Sequence, residues 1–181
     1  MSTFSYILLL FLVLTQVSSL DYEGNYSTEG TEVIKQGEKV VYSGTGRYVL
    51  NTNRTRSYEE YHTNGTTFSI CVLSNFTYEL VGNDGTGDKF CIRSQYNYAT
   101  LKRQYDDSKF IGYIMGYLVY EGLLVRDGQK ATITFYHKPN TTYPEITVIA
   151  DGTYTSTYTV TNYSNIVDDS VFSSYNCNCP S

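Results

Sequence analysis

Residues 111–137 read IGYIMGYLVYEGLLVRDGQKATITFYH, and the parsing of this stretch decides the fold. From 111 to 125 it is almost continuously apolar, yet Gly112, Gly116 and Gly122 punctuate it and Glu121 interrupts it. It is too short and too broken to span a bilayer, which takes about 20 apolar residues in a helix. Glycine inside an apolar run marks a bulge or a close backbone approach, so the run reads as one buried strand that bends. Asp127-Gly128 is a hairpin signal, and 131–137 is the returning strand.

The same grammar recurs outward from this stretch. Segments 146–150 and 154–160 flank Asp151-Gly152, 67–73 and 76–81 flank Ser74-Asn75, and 90–93 resumes a strand after a polar loop. Segments 46–50 and 55–61 flank Asn51-Thr52-Asn53-Arg54, a hairpin that places Arg54 and Arg56 on one face. Val33, Ile34, Val40, Val41 and Tyr42 are strand material broken near Gln36-Gly37-Glu38, readable as two short strands or one long one. Residues 21–32 are acidic and polar. Only 96–110, with Tyr98, Leu101 and Tyr105 spaced by three and four, predicts a helix. Short strands separated by turn residues imply an antiparallel sandwich or barrel. Composition agrees: Tyr 20, Phe 8 and Trp 0 favour strands, and a tyrosine surplus suits a sheet with one wet and one apolar face. No repeat or linker divides residues 20–181, which are expected to form a single β domain.

The apolar run 7–14, followed by Val17-Ser18-Ser19 and Leu20-Asp21, reads as a secretory leader cleaved after Ser19. A membrane anchor is the alternative, because residues 1–6 carry no Lys or Arg. A cleaved leader implies a secreted, extracellular protein, with the endolysosomal lumen as the other destination. Asn25, Asn53, Asn64, Asn75, Asn140 and Asn162 each open an Asn-x-Ser/Thr sequon and become expected glycan sites in that setting. Cys71, Cys91, Cys177 and Cys179 become disulfides. Pairing Cys71 with Cys91 would leave a strained Cys-x-Cys bridge, so each is expected to join one tail cysteine. Zinc is the competing reading, disfavoured because only His62 and His137 could join and the spacing fits no finger pattern.

The net charge of −5 and pI near 5.0 argue against a nucleic-acid partner, which needs a basic surface. Lys102-Arg103 and Asp106-Asp107 read as a solvated helix face of mixed sign. His62 and His137 lie near no nucleophile elbow and read as ordinary sheet residues. Glu59-Glu60 and Asp168-Asp169 read as surface charge, since adjacent strand residues face opposite ways. Loop 83–88 carries oxygen ligands suited to calcium but lacks the closing Glu of an EF-hand, and reads as a polar turn. No catalytic residue, metal site or cofactor is assigned, and the chain is expected not to be an enzyme.

Tyr78-Glu79-Leu80, followed after a polar loop by Phe90-Cys91, and the tail Asp168-Asp169-Ser170-Val171-Phe172 before a terminal cysteine complete a pattern. With the leader and the tyrosine-rich strands, the chain resembles the ependymin-related secreted glycoproteins of the LolA-like superfamily over about 42–179. That resemblance implies a mostly β fold, a strongly curved antiparallel sheet forming an open, incomplete barrel with one or two short helices as a lid. It implies an apolar pocket for a lipid or another hydrophobic small molecule. Alternation from Tyr113 along the apolar run gives the expected lining as Tyr113, Met115, Tyr117, Val119 and Leu123, with Phe135 and Val148 as weaker members. The expected function is non-catalytic carriage of that ligand, with no integral membrane segment after leader cleavage. The alternative is an extracellular matrix or adhesion glycoprotein, calcium-dependent in one form. A homodimer is left open.

Overall fold

The computed structural model of the chain describes residues 24–63, 65–83, 89–126, 128–173, 177 and 179. The expected leader, sequon Asn64, the body of the loop read for calcium and Asp127 lie outside them. The strands are β1 (Asn25–Gln36), β2 (Lys39–Asn51), β3 (Arg56–Thr63), β4 (Thr66–Val72), β5 (Thr77–Asn83) and β6 (Lys89–Ser94), then β7 (Lys109–Ile114), β8 (Tyr117–Arg126), β9 (Gln129–His137), β10 (Ile146–Ala150) and β11 (Tyr154–Ser164). One helix, α1 (Tyr98–Asp106), separates the two groups. All strands join one antiparallel 11-stranded sheet in the order β6-β5-β4-β3-β2-β1-β11-β10-β9-β8-β7.

This order forces curvature. Strands about 4.8 Å apart would put the β6 and β7 edges of a flat sheet about 48 Å from one another. The connection between those edges contains the 9-residue α1, about 13 Å long, and reaches about 36 Å with its flanks fully extended. The sheet therefore curls until the connection can cross its inner face. The edges do not pair, so the result is an open, incomplete barrel of mostly β structure.

The helix is fixed at both ends. Asn97 caps it, its side chain accepting from Thr100 N–H, and Tyr98 N–H donates to Leu73 O at the end of β4. Gln104 Nε2 donates to Val125 O on β8. Between these ties, Tyr98 and Leu101 bury against Tyr26, Leu50 and Val72 of the inner face. The helix is shorter than the periodicity of 96–110 suggests, because Asn97 starts it and Lys109 already belongs to β7.

The run 111–125 is not one bent strand. Met115 and Gly116 both take positive φ (50° and 88°), closing a two-residue hairpin with Ile114 opposite Tyr117. Both central residues lie in the left-handed region, as in the tight turns whose twist matches paired strands. Gly112 follows a bulge in β7, whereas Gly122 lets the end of the helix connection approach β8, where a Cβ would collide with Ser108 Oγ. The acidic stretch 21–32 also differs from its reading, since β1 begins at Asn25. Its inward residues Tyr26, Thr28 and Glu32 are buried while Glu29 and Thr31 are exposed.

Gly30 and Gly46 stand opposite each other on β1 and β2. A Cβ on Gly30 would lie 2.7 Å from Tyr158 Cζ and also meet Thr159 O, and one on Gly46 would lie 2.6 Å from Tyr61 Cδ1. The two glycines form a floor against which tyrosine rings lie on bare backbone. Gly30→Ala is expected to lower stability by about 2 kcal/mol in urea unfolding, the usual cost of overpacking. An unchanged midpoint would mean that β11 shifts its backbone at Thr159, as well as the Tyr158 ring, at no cost.

After β11 the chain returns to the outer face of β2–β4. Val171 and Cys177 bury there with Val49, Tyr58 and Cys71. Disulfides join Cys71 to Cys177 and Cys91 to Cys179, so each mid-chain cysteine is tied to one in the tail. Arg56 bonds Asp169 at 2.7 Å and lies 4.0 Å over the Phe172 ring, while Arg54 reaches the same carboxylate at 3.0 Å. The hydrogen bond from Arg56 holds the Asp169 carboxyl below its ordinary value. Asp168, paired with Arg47 at 3.7 Å, completes this clasp.

Candidate functional site

The inner face is read from strand register. Tyr26, Thr28 and Glu32 of β1 share it with Tyr48 of β2, Glu59 and Tyr61 of β3, and Ser156 and Tyr158 of β11. Thr147 and Ile149 of β10 and Ile133 and Phe135 of β9 continue it. Under α1 these residues, Ile133 apart, line a chamber of about 70 Å³, roofed by Tyr105 and walled by Pro144. Ile149 and Ser156 also line a second hollow, an open cleft of about 510 Å³ with Ile34, Tyr42, Leu124 and Ala131 on its walls. The two hollows are therefore contiguous along the inner face.

The chamber is aromatic and acidic. Tyr61 and Tyr158 meet edge to face at 6.3 Å, Tyr26 and Tyr48 lie 6.0 Å apart, and the Tyr105 ring is 4.6 Å from that of Phe135. Burial raises the phenols of Tyr26, Tyr61 and Tyr105 and pushes that of Tyr158 up to about 12, so all stay protonated in any physiological setting. Glu32 is 8% exposed and accepts a 2.7 Å hydrogen bond from Ser156 Oγ. Burial raises its carboxyl pKa, and the bond from Ser156 only partly opposes this. Tyr61 O–H donates to Glu59 at 3.2 Å.

Of the expected lining, Phe135 alone borders this chamber; it is fully buried. Met115 is 94% exposed at the hairpin tip, and Tyr113 and Leu123 are also exposed. Tyr117 packs edge-on to Tyr136 and donates to Glu145, and Val148 lies on the outer register between Thr134 and Thr157. Val119 is fully buried but alternates with Tyr120, the inner-face partner of Phe135. The physical reason is parity. Across the Met115-Gly116 turn Tyr113 pairs with Leu118, so counting by twos through the turn selects the wrong face of β8. The face that matters carries Leu118, Tyr120, Gly122 and Leu124.

Sequence reasoning missed Glu32, Glu59 and the tyrosines of β1–β3 and β11. The usable signal was the alternation of Tyr26, Thr28, Gly30 and Glu32, which hydropathy conceals because the inward set is polar. Asn53, Asn75, Asn140 and Asn162 are exposed, and Asn25 is half-buried where its Oδ1 accepts from Thr52 and Asn53. Glu59 and Glu60 do face opposite ways, Glu60 meeting His62 at 2.6 Å. Among the described residues, no cluster of three metal-ligating side chains occurs, and no helix is long and apolar enough to cross a membrane.

His137 is buried beside Tyr120, its Nε2 without a hydrogen-bond partner, and burial pulls its pKa down to about 4. The unfolded imidazole takes its proton near 6.5, so between pH 6.5 and 4 the unfolded state binds more protons. Stability is therefore full above pH 6.5 and falls with pH across that window, by roughly 2 kcal/mol at pH 5. His137→Gln, which cannot titrate, is expected to flatten this part of the stability profile. An equally steep acid limb in the variant would assign the loss to other groups.

No family model and no curated protein matches the chain. Among solved structures it is similar to a LolA-superfamily protein from Nitrosomonas europaea, at 8% identity and a TM-score of 0.45, over 84% of this chain and 91% of that one. It is also similar to MucB, solved in complex with MucA(peri), at 11% identity and a TM-score of 0.44, over 94% of this chain and 61% of that one. The chain thus spans less than two thirds of MucB.

Proposed function

We propose that this chain is a secreted, ependymin-related glycoprotein of LolA-like kind that holds a hydrophobic small molecule or lipid on the inner face of its sheet and carries it without catalysis. The observation that supports this most is the contiguity of the chamber and the cleft at Ile149 and Ser156. A cleft of about 510 Å³ falls in the size range of small-molecule sites, and its walls at Ile34, Leu124 and Ala131 suit an alkyl chain. The disulfides fit an oxidising compartment, and a net charge of −5 disfavours nucleic acid. The leader at 1–19 and the sequons belong to the same proposal.

The test uses protein purified from the medium of cells expressing the full sequence. Native mass spectrometry and organic extraction are expected to find a co-purifying lipid. A solvatochromic dye is expected to brighten on the emptied protein and to be displaced by it. Neither adduct nor dye uptake, on protein with both disulfides formed, would refute the carrier reading.

A further inference from the structure

The chamber and the cleft differ in chemistry as much as in size. On this measure a water needs about 10–15 Å³, so 70 Å³ admits a compact group of a few heavy atoms and no acyl chain. Its boundary is built from tyrosine and phenylalanine rings with two carboxylates, Glu32 and Glu59, and no Lys, Arg or His is among the residues lining it. An anionic head would meet two acids there. A neutral apolar head would leave Glu32, more than nine-tenths buried, with the Ser156 hydroxyl as its hydrogen-bond donor and no cation to favour its ionised form. An ammonium group satisfies both features, since aromatic faces attract cations through their quadrupole and a carboxylate supplies the counter-charge.

We propose that the chamber receives the ammonium head of a cationic amphiphile whose alkyl chain lies in the adjoining cleft. The inference rests on the reading of the inner face as a hydrophobic-ligand site and adds the class of head group. Tyr61 and Tyr158, seated on the Gly46 and Gly30 floor, form one wall, and Tyr105 with Phe135 forms the roof beneath α1. Ile149 and Ser156 mark the neck between head and tail. The raised pKa of Glu32 belongs to the empty chamber, where burial is not offset by a cation, and a bound ammonium would favour its ionised form.

The experiment compares three ligands of one chain length, the two ionic ones below their micelle concentrations and the alcohol below its solubility limit, in competition with the solvatochromic dye on the full disulfide-bonded protein at pH 7. Dodecyltrimethylammonium is expected to bind at least tenfold more tightly than 1-dodecanol, and dodecyl sulfate more weakly than either. The double variant Glu32→Gln, Glu59→Gln is expected to erase the preference for the ammonium while leaving dodecanol binding within twofold. Equal binding of the ammonium and the alcohol to the unaltered protein would overturn the head-group assignment and leave the hydrophobic site standing. So would a preference that survives the double variant. Binding of none of the three would refute the carrier reading and this inference together. The ligand series is read on the unaltered protein, so a variant that fails to fold does not remove the test.

Discussion

Cys177→Ala is expected to cost the domain about 4–5 kcal/mol, the largest single loss of any substitution considered. The Cys71–Cys177 bridge spans a sequence separation of 106 residues. With Cys91–Cys179 still closed, the loop released runs through that bridge and holds about 22 residues, which in the chain-entropy account frees the unfolded state by about 3.4 kcal/mol. The native state loses as well. Cys71 is fully buried and packs with Val49, Tyr58 and Val171, so its freed thiol stays in an apolar cluster while the tail loses its anchor. The measurement is urea unfolding without reductant, with thiol titration to show that Cys71 is free and Cys91 is not. A loss under about 2 kcal/mol would mean that Cys91–Cys179 and the clasp of Arg47, Arg54 and Arg56 on Asp168 and Asp169 together hold the tail in place.

Phe135→Ala comes next, with an expected loss of about 3–5 kcal/mol. The ring is fully buried, packs 4.6 Å from Tyr105 and belongs to the cluster with Tyr120 and Ile133. It also forms part of the chamber roof, so truncation enlarges an existing void rather than opening an isolated one. A small apolar solute such as benzene is therefore expected to raise the melting temperature of the variant more than that of the parent, by filling the space. Equal shifts would show that the surrounding rings collapse into the gap. Such a collapse would also lower the initial loss, so unfolding and rescue together separate the two cases.

The parts of this fold legible in the sequence were those carried by local chemistry. Asn51 to Arg54, Ser74-Asn75 and Asp151-Gly152 announce their hairpins through turn residues, and the structure turns at each. The spacing of Tyr98, Leu101 and Tyr105 announces the helix. What stayed hidden depended on tertiary surroundings. β1 turns Thr28 and Glu32 inward, which no hydropathy pattern reveals, because their burial comes from α1 and from strands far along the chain. Met115-Gly116 lacks the Asn-Gly or Asp-Gly signature of a tight hairpin, so the apolar run hid its turn, and one unseen turn inverted the assignment of every side chain on β8. The fold class survives such an error because antiparallel neighbours remain neighbours. A site assignment does not, since it depends on which face each residue occupies.

Both disulfides end on the same side of the β1–β11 seam, at Cys71 in β4 and Cys91 in β6. No disulfide ends on β7–β10, which lie within both closed loops and supply Phe135, Ile149, Ala131 and Leu124 to the two hollows. The molecule is thus a vessel with one wall strung inside closed covalent loops and the opposite wall, β1–β3, left outside them. Glu32 in β1 and Glu59 in β3 precede Cys71 and lie outside both closed loops, so strand pairing and the packing of the tail on β2–β4 keep them in register. Because neither bridge ends on β8, β9 or β10, substitutions that reshape their lining leave both disulfides in place. Adaptation to a longer or bulkier cargo has its open ground there.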